Sequence, residues 1–316
     1  MKVFVAGATG AIGRPLVSAL VAARHEVVGM TSSERGLRVL QEHGADGVVV
    51  NAFDSGALNA AIGRVRPDAV IEELTSLPRD YTPEAMRAAA ERDRKLRLEG
   101  GQNVYDAART AGAKRYLVQS TGFFYGPGAG LASEADLLAV NAPSGISGNV
   151  QTYLQIEKRV LGSREMEGVA LRYGFFYGPG TYHDPETGSV TRQVREQKYP
   201  VIGSGAAVYS FIHVEDAAAA TVAALESEPG VYNIVDDDPL EMRVWLPAFA
   251  RFVDAPPPPH VTEQQAQVGP DGIYYATRLR GARNDLAKRK LGFSPRRLEW
   301  LSKATMESGA GPISAG

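Results

Sequence analysis

The sequence predicts an α/β fold built on a doubly wound parallel sheet. Short runs rich in Val, Ile and Phe alternate with amphipathic stretches through residues 1–121, and this alternation is typical of repeated β-α units. The runs are almost continuously apolar, which indicates strands that are covered on both faces. A glycine-rich turn joins the first run to the first amphipathic stretch, as expected where a strand passes directly into a helix.

Five strands and four helices are predicted in this part of the chain. The predicted strands cover residues 2–6, 26–30, 48–50, 68–72 and 115–119. The predicted helices cover residues 12–23, 33–43, 55–65 and 83–111. Pro83 suits the first turn of the last helix, where its missing N–H group is not needed. Residues 91–99 carry charges of both signs and are interpreted as a solvated face of this helix.

The composition excludes several classes of function. The chain has 316 residues and a net charge of −2, so it can bury a sizeable core but has no basic field for nucleic acid or membrane. It has no cysteine, which excludes disulfides, thiolate catalysis and cysteine-bound zinc. No metal site is expected, because His213 has no second ligand at a suitable spacing. Without a signal peptide or an apolar run of about 18 residues, we expect a cytoplasmic protein with a small-molecule substrate.

The turn after the first strand carries the pattern Gly7-Ala-Thr-Gly10-Ala-Ile-Gly13. Between a strand and a helix, such glycines permit a tight turn, close approach of a pyrophosphate, and close packing of helix on strand. The helix N-terminus then offers N–H groups and a positive dipole end to the phosphates. This context predicts a Rossmann-type dinucleotide site. The residues expected to bind the cofactor here are Gly7, Thr9, Gly10, Ala11, Ile12 and Gly13.

The residues after the second strand affect the choice between NAD and NADP. A carboxylate at the end of this strand would hydrogen-bond the 2′-hydroxyl of NAD, but this chain has Thr31, Ser32 and Arg35. Hydroxyls and a cation suit a 2′-phosphate better, and Arg14 could assist them. Glu34 would instead favour NAD, although it is expected to lie at the start of the next helix. We therefore expect NADP(H), with NAD(H) as the alternative.

The ends of the third and fourth strands supply further candidates. Asp54 is placed either to bind the adenine amine or to cap the next helix. Glu72 and Glu73 end the fourth strand, at the edge where ligands bind in such sheets. A carboxylate there is either functional or a solvated loop residue. Leu74 follows and is expected to contact the cofactor.

Several segments resemble the extended short-chain dehydrogenase/reductase superfamily, in its epimerase/dehydratase branch. The glycine spacing of the first turn resembles that of the superfamily. The other matching segments are residues 119–127 (QSTGFFYGP), 171–180 (LRYGFFYGPG), 211–216 (FIHVED), 230–235 (GVYNIV) and 284–292 (NDLAKRKLG). They follow in order over nearly the whole chain, and the resemblance therefore implies the fold of this branch.

The resemblance also implies two lobes, with the active site in the cleft between them. A Rossmann core is expected in residues 1–177 and about 208–235, and a substrate lobe in about 178–207 and 236–305. Residues 306–316 are rich in Gly, Ser and Ala and are expected to be disordered. Homodimers are implied in which the helix near 83–111 pairs with the helix near 150–164.

The family's catalytic pair is a tyrosine and a lysine four residues apart on a helix. This spacing puts both side chains on one face, where the lysine lowers the tyrosine pKa for proton exchange with the substrate. The corresponding stretch here, Asn149 to Lys158, lacks the pattern. Either Asn149 and Tyr153 occupy the two positions, or Tyr153 is the tyrosine and Glu157 its i+4 partner. In the second case, the carboxylate would raise the tyrosine pKa, and Lys158 would point elsewhere.

Other side chains are also candidates for catalysis or substrate contact. The resemblance implies that Ser120 or Thr121 faces the nicotinamide, the alternative being a turn hydroxyl. Tyr173 could enter the cofactor pocket, and Tyr153 could instead pack in the cleft wall. The catalytic candidates are thus Ser120, Thr121, Tyr153, Glu73 and Tyr173, with Tyr125 and Tyr177 as further tyrosines. Residues 180–184 are expected to line the substrate mouth.

Three functions remain open. The first is an atypical NAD(P)-dependent oxidoreductase or epimerase-like enzyme that acts on a small polar or secondary-metabolite substrate. The second is a redox-silent isomerase or lyase that keeps the cofactor, and the third is a non-catalytic NADP(H) sensor. An enzyme is favoured, because the glycine loop, the hydroxyls after the fifth strand and an aromatic cleft are all retained.

Overall fold

The computed structural model describes residues 1–301. The strands are β1 (Lys2–Ala6), β2 (Glu26–Thr31), β3 (Asp46–Val49), β4 (Ala69–Glu72), β5 (Arg115–Thr121), β6 (Glu167–Tyr173), β7 (Phe175–Tyr177), β8 (Val201–Ile202), β9 (Val208–Tyr209), β10 (Phe211–His213), β11 (Gly230–Ile234), β12 (Leu240–Glu241) and β13 (His260–Val261). The helices are α1 (Gly13–Ala22), α2 (Glu34–Glu42), α3 (Ser55–Val65), α4 (Pro83–Lys95), α5 (Gly101–Thr110), α6 (Ser144–Leu161), α7 (Ser189–Arg195), α8 (Val214–Ala223), α9 (Met242–Phe252), α10 (Glu263–Ala266), α11 (Gly269–Thr277) and α12 (Asp285–Leu291). A π-turn covers Leu96–Gly100 and a 3-10 turn covers Ala224–Glu226.

Within residues 1–301, a seven-stranded parallel sheet has the order β11-β6-β5-β4-β1-β2-β3. The predicted doubly wound parallel sheet is therefore confirmed. The chain runs outward from β1 in both directions, and ligands bind beside such a switch point, outside the carboxyl ends of the strands. That edge carries Ala6, Thr31, Glu72, Thr121 and Tyr173.

Side-chain caps fix where several helices begin. Asp54 caps α3, because its Oδ1 accepts from the backbone nitrogen of Ala57 at 2.9 Å. Ser33 caps α2 in the same way through Gly36, at 3.2 Å. These caps satisfy N–H groups that have no partner inside the helix. The predicted helices 33–43 and 55–65 consequently agree with α2 and α3 to within a residue at each end.

The long helix predicted over 83–111 contains an interruption that the sequence analysis missed. The π-turn separates α4 from α5, and Arg97 within it is only 4% exposed. The interpretation of residues 91–99 as a solvated face is therefore wrong at this position. The turn lies close to the sheet, since a Cβ on Gly101 would overlap the Glu72 carboxylate.

The remaining strands lie outside the main sheet and surround an aromatic cluster. They pair as β7 with β10, β8 with β13 and β9 with β12. Trp245 packs against Tyr209 and Phe211, with ring centroids 5.1 and 5.2 Å apart. Trp300 packs against Phe211 and Phe249, both at 5.0 Å. These rings form a second core, separate from the two apolar clusters that flank the main sheet.

The described part of the chain contains no helix that could cross a membrane. Nor do residues 1–301 bring three or more His, Asp or Glu side chains together in a group that could hold a metal ion. The segment 306–316, for which disorder was predicted, lies outside the described residues.

Candidate active site

The glycine loop between β1 and α1 leaves no space for side chains at two positions. Gly7 has a φ angle of +85°, and a Cβ there would overlap the carbonyl oxygen of Glu73. A Cβ on Gly13 would overlap the backbone of Gly7 and Ala8. Gly10 donates its N–H to the carbonyl of Gly7 at 3.0 Å, which closes the turn. The loop thus has the tight turn and close helix packing that a dinucleotide site needs.

The outer side of this loop has space for a pyrophosphate. Gly10 is exposed, and α1 begins at Gly13 with no side-chain cap and no acidic residue in its first turn. Such a helix N-terminus favours an anion. Thr9 and Ala11 are half-buried beside the loop, whereas the side chain of Ile12 is buried in the core. These residues fit a dinucleotide, which would bring hydride-transfer chemistry to this edge of the sheet.

The end of β2 presents hydroxyls and a guanidinium rather than a carboxylate. Thr31 is buried, and its Oγ1 accepts from the backbone nitrogen of Ser33 at 3.4 Å. Ser32 and Arg35 are exposed, and Glu34 is the first residue of α2. Ser32 and Arg35 are therefore accessible to a ligand, while Thr31 stabilises the turn.

Asp54 and Leu74 follow the adjacent strands β3 and β4. Asp54 caps α3, which is one of the two roles predicted for it. The cap occupies one oxygen of its carboxylate. Leu74 is 8% exposed, and its backbone nitrogen lies 3.2 Å from the position that a Cβ on Gly7 would take. Leu74 therefore borders the glycine loop directly.

Glu157 is not available to Tyr153, because it forms a buried ion pair with Arg172. Nε and Nη2 of Arg172 donate to the two carboxylate oxygens of Glu157, at 2.7 and 2.8 Å. Ser120 donates its hydroxyl to Oε1 of Glu157 at 2.6 Å. The residue one helical turn after Tyr153 therefore joins α6 to β5 and β6, and it does not act on the tyrosine.

Tyr153 itself lines the main cavity, and no residue within 1–301 hydrogen-bonds its hydroxyl. The guanidinium of Arg97 lies over its ring, with Cζ 5.0 Å from the centroid. Burial raises the pKa of Tyr153, Arg97 opposes this, and Asp93 adds to it. The expectation that Glu157 would raise this pKa is thus wrong, because the carboxylate near Tyr153 is Asp93. Lys158 is exposed, as expected.

Glu73 is a buried carboxyl group beside the glycine loop. The Tyr173 hydroxyl donates to Oε1 of Glu73 at 3.0 Å and lies 2.6 Å from Oγ1 of Thr221. The other oxygen, Oε2, has no partner within residues 1–301. Burial raises the pKa of Glu73 to about 8, although the hydrogen bond from Tyr173 acts against it. Glu73 is therefore mainly a neutral acid at pH 7.

Two other candidates, Glu72 and Tyr125, are fixed by hydrogen bonds to neighbouring side chains. Glu72 accepts from the Tyr116 hydroxyl at 2.5 Å and from Nη2 of Arg159 at 2.8 Å. Tyr125 donates to Oδ1 of Asn233 at 2.5 Å. Both side chains are engaged by hydrogen bonds to strands of the main sheet or to the helix packed on it. Neither is therefore free to bind a substrate.

The remaining hydroxyl candidates differ in their access to the cavity. Ser120 borders it, but its hydroxyl is engaged by Glu157. The hydroxyl of Thr121 is buried and has no partner among the described residues. Tyr177 likewise has no hydroxyl partner there, and its ring packs on Trp300 at 5.0 Å. Among these three residues, Thr121 keeps a free hydroxyl at the carboxyl end of the main sheet.

A cavity of about 1000 Å³ connects the glycine loop with the aromatic second core. Ala11 borders it at the loop, and Ser120 and Tyr153 border it at the sheet and at α6. Its aromatic lining includes Phe123, Phe175, Tyr182, Tyr199, Tyr209 and Tyr275. Such a lining suits a planar organic substrate.

Of the segment predicted to line the substrate mouth, residues 180–183 border the cavity. Oδ2 of Asp184 accepts from the Gly180 N–H at 3.0 Å and holds this loop in place. His183 is buried, and its Nδ1 lies 3.2 Å from the Phe176 carbonyl. Burial lowers the pKa of His183 to about 4. This histidine is therefore neutral and contributes no charge to the cavity. His213, outside it, caps α8 by accepting from the Glu215 N–H at 3.2 Å.

Arg97 is the residue that sequence reasoning missed. It lines the cavity beside Tyr153 and donates from Nε to Oδ2 of Asp93 at 2.7 Å. The i,i+4 spacing of Asp93 and Arg97 was visible in the sequence, but that spacing is equally typical of exposed pairs. The glycine pair Gly100-Gly101, which begins three residues after Arg97, was the signal that this part of the helix packs closely.

This fold and site define a nicotinamide-dependent enzyme of the extended Rossmann type. The model of the NAD dependent epimerase/dehydratase family matches residues 3–235, and the chain belongs to this family. A UDP-glucose 4-epimerase from Stenotrophomonas maltophila, with bound NAD, superposes with a TM-score of 0.74 and 19% identity, over 98% of this chain and 100% of that chain. A dTDP-glucose 4,6-dehydratase from Streptomyces venezuelae, also with NAD, gives 0.73 and 18% over 97% and 98%.

A reductase is more similar in sequence than these structures. A 3-diazoavenalumate denitrifying reductase from Streptomyces sp. is 40% identical over 308 residues, which is 95% of this chain and 98% of that protein. The solved structures share the fold, whereas this relative shares sequence along nearly its whole length. The chain is therefore an enzyme of the NAD-dependent oxidoreductase and epimerase type.

Proposed function

We propose that the protein is a reductase that replaces the diazo group of a small aromatic acid by hydrogen. The name of its 40% identical relative describes such a reaction, on a substrate with a diazo group and a carboxylate. One observation carries the proposal: the residue four positions after Tyr153 is Glu157, which is bound to Arg172, so the lysine of the family's proton-transfer pair has no counterpart on this helix. The reaction should therefore need no proton from this tyrosine.

Reduction of an aryl diazonium group meets this condition. When bound, the reduced nicotinamide supplies a hydride to the carbon that carries the diazonium group. A C–H bond forms with the hydride's electron pair, the C–N bond breaks, and its electrons leave with dinitrogen, so no proton is taken up. Reduction of a ketone differs, because the alkoxide that forms must be protonated.

The tyrosines of the cavity are compatible with a diazonium substrate. Diazonium ions couple to phenolates, and a cavity lined by ionised tyrosines would be modified by its own substrate. Burial raises the pKa of Tyr153, Tyr209 and Tyr275, so all three keep their protons at neutral pH. Their rings can pack against the substrate without attacking it.

We further propose that NADP(H) is preferred to NAD(H). The exposed Ser32 and Arg35, and the absence of a carboxylate at the end of β2, support a 2′-phosphate site. Similar structures of the family contain NAD, and Glu34 at the start of α2 would suit the free ribose. Titration of all four nicotinamide forms by calorimetry decides between the two. Arg35→Ala should weaken NADPH binding roughly tenfold or more and leave NADH binding unchanged, if the guanidinium binds the phosphate.

The proposal also assigns lobes and an assembly. Residues 1–177 with about 208–235 would bind the cofactor, and about 178–207 with 236–305 would bind the substrate. The pair of β8 with β13 supports this division, because it lies outside the main sheet and wholly within the residues assigned to substrate binding. A homodimer through the helices near 83–111 and 150–164 is testable by analytical ultracentrifugation.

The test of the reaction follows the hydrogen atom. Reduced cofactor deuterated at the transferred position is incubated with an aryl diazo acid, and product is analysed by mass spectrometry and NMR. We expect deuterium on the carbon that carried nitrogen, with one equivalent each of oxidised cofactor and dinitrogen. A reaction without protein controls for direct chemical reduction. Product formation without cofactor oxidation would favour the redox-silent alternative, and absence of turnover would contradict the proposal.

A further inference from the structure

Arg97, a buried arginine in the π-turn after α4, borders the cavity. Arg97 is 4% exposed and borders the cavity next to Tyr153. Its Nε donates to Oδ2 of Asp93 at 2.7 Å, and Oδ1 of Asp93 accepts from the Ser76 N–H at 2.5 Å. The guanidinium is therefore held in one orientation by its own helix and by the loop after β4.

The terminal nitrogens of Arg97 are left unused. Within residues 1–301, neither Nη1 nor Nη2 has a hydrogen-bond partner, and neither is sealed from solvent. Two N–H donors of a charged group thus remain for a ligand that enters the cavity. Two parallel N–H groups at the end of a guanidinium match the two oxygens of a carboxylate.

Helix α4 brings Arg97 to the cavity. Ala90, Asp93 and Arg97 follow one another at spacings of three and four residues, and all three line the same cavity. The π-turn Leu96–Gly100 contains Arg97, and turns of this kind occur often at functional sites. The turn lies close to the sheet, because a Cβ on Gly101 would overlap the Glu72 carboxylate. Arg97 is therefore the last residue of a helix face that borders the cavity.

The surroundings favour a negatively charged group at Arg97. Tyr153 lies beneath the guanidinium, and no hydrogen bond within residues 1–301 engages its hydroxyl, which can therefore donate to a ligand. Asp93 and Glu72 are the carboxylates that act on this guanidinium, whereas burial raises the pKa of Glu73 to about 8 and leaves it mainly neutral at pH 7. Cations also outnumber carboxylates around the cavity: Arg79, Arg87, Arg97, Arg192 and Lys198 face Asp80, Asp93 and Asp271.

We propose that Arg97 binds the carboxylate of the substrate, with the Tyr153 hydroxyl as a second donor. The choice of an aromatic acid rests on the proposed function, but the anion site does not depend on the diazo reaction. Tyr153 then binds the substrate and does not transfer a proton. Arg97 becomes the determinant that selects acids over neutral aromatic compounds.

A binding experiment with a matched pair of probes tests this site without any turnover. Cinnamate and cinnamamide are titrated by calorimetry into protein saturated with NADP+, or with NAD+ if that form binds better. The wild type should bind cinnamate at least about tenfold more tightly than the amide. Arg97→Gln should weaken cinnamate binding roughly 10- to 100-fold and change amide binding less than about threefold.

Two further variants separate the anion site from a structural role. Arg94→Gln removes an exposed cation of the same helix, paired with Glu91 at 3.1 Å, and should leave both affinities unchanged. Arg97→Lys keeps the charge beside Asp93 and should restore part of the preference for the acid. An equal loss of affinity for both probes in Arg97→Gln would overturn the inference. The absence of any preference for cinnamate over cinnamamide in the wild type would also overturn it. Failure of the diazo assay with the cinnamate preference intact would instead refute only the proposed reaction.

Discussion

The glycine loop and helix α6 lie on opposite sides of one cleft and keep the family pattern to different degrees. The loop depends on backbone shape, and Gly7 and Gly13 leave no room for a side chain there. Helix α6 depends on two side chains, and here the position four residues after Tyr153 is Glu157, which is bound to Arg172 and not to the tyrosine. The backbone shape of the loop is therefore retained while the family's Tyr-Lys pair is absent, and this difference is the basis for proposing a different reaction on the same scaffold.

The largest effect is expected in the loop. Gly10→Asp places a carboxylate against the pyrophosphate, and like charges at such short range cost several kcal/mol. We expect the Kd for the reduced cofactor to rise roughly 100-fold or more, with the circular dichroism spectrum unchanged because Gly10 is exposed. Gly63→Asp, at a helical glycine with open space around it, is the matched control. Unchanged affinity in Gly10→Asp would refute the cofactor-site assignment.

The next effect concerns stability on the α6 side. Glu157→Gln leaves the buried guanidinium of Arg172 without its counter-charge, and breaking such a pair costs about 3–5 kcal/mol. Urea unfolding should show this loss as a lower midpoint with an unchanged slope. Glu165→Gln, in an exposed 3.7 Å pair with Arg109, should cost less than about 0.5 kcal/mol. A similar small loss in both variants would mean that the Glu157–Arg172 pair is not a structural element.

Glu73, beside the glycine loop, should make stability depend on pH. Its pKa is about 8 in the folded protein, against an ordinary value of 4.5. Between these values the folded state holds a proton that the unfolded state has lost, so stability falls as pH rises from about 4.5 to about 8. Glu73→Gln should remove this decline, which amounts to a few kcal/mol at about 1.4 kcal/mol per pKa unit. Unfolding free energies at pH 5.5 and pH 8.5 measure it, and parallel values in both proteins would contradict the assignment.

The same contrast explains what the sequence could predict. The loop and the strands around it were predictable because their signals are local: glycines at fixed spacing, apolar runs, and caps such as Asp54. The partners at α6 were not, since Glu157 meets Arg172 and Ser120, which are 15 and 37 residues away in the chain. Arg97 was missed for a different reason: its spacing from Asp93 is equally typical of an exposed helix, and only the tertiary structure shows that this helix face borders the cavity.

The smallest effect on the chemical step is expected for Tyr153→Phe. If the hydride acceptor is a diazonium carbon, no proton moves from the phenol, so kcat should change less than about threefold. The KM for the acid should rise a few-fold, because one neutral hydrogen bond to the carboxylate is lost. Tyr232→Phe is the control, because the Tyr232 hydroxyl lies away from the cavity and donates to the Glu228 carbonyl at a distance of 2.8 Å. A fall in kcat of about 100-fold or more, with a solvent isotope effect in the wild type, would make Tyr153 the proton donor. In that case α6 would have kept the family's chemistry without its lysine, and the contrast with the glycine loop would disappear.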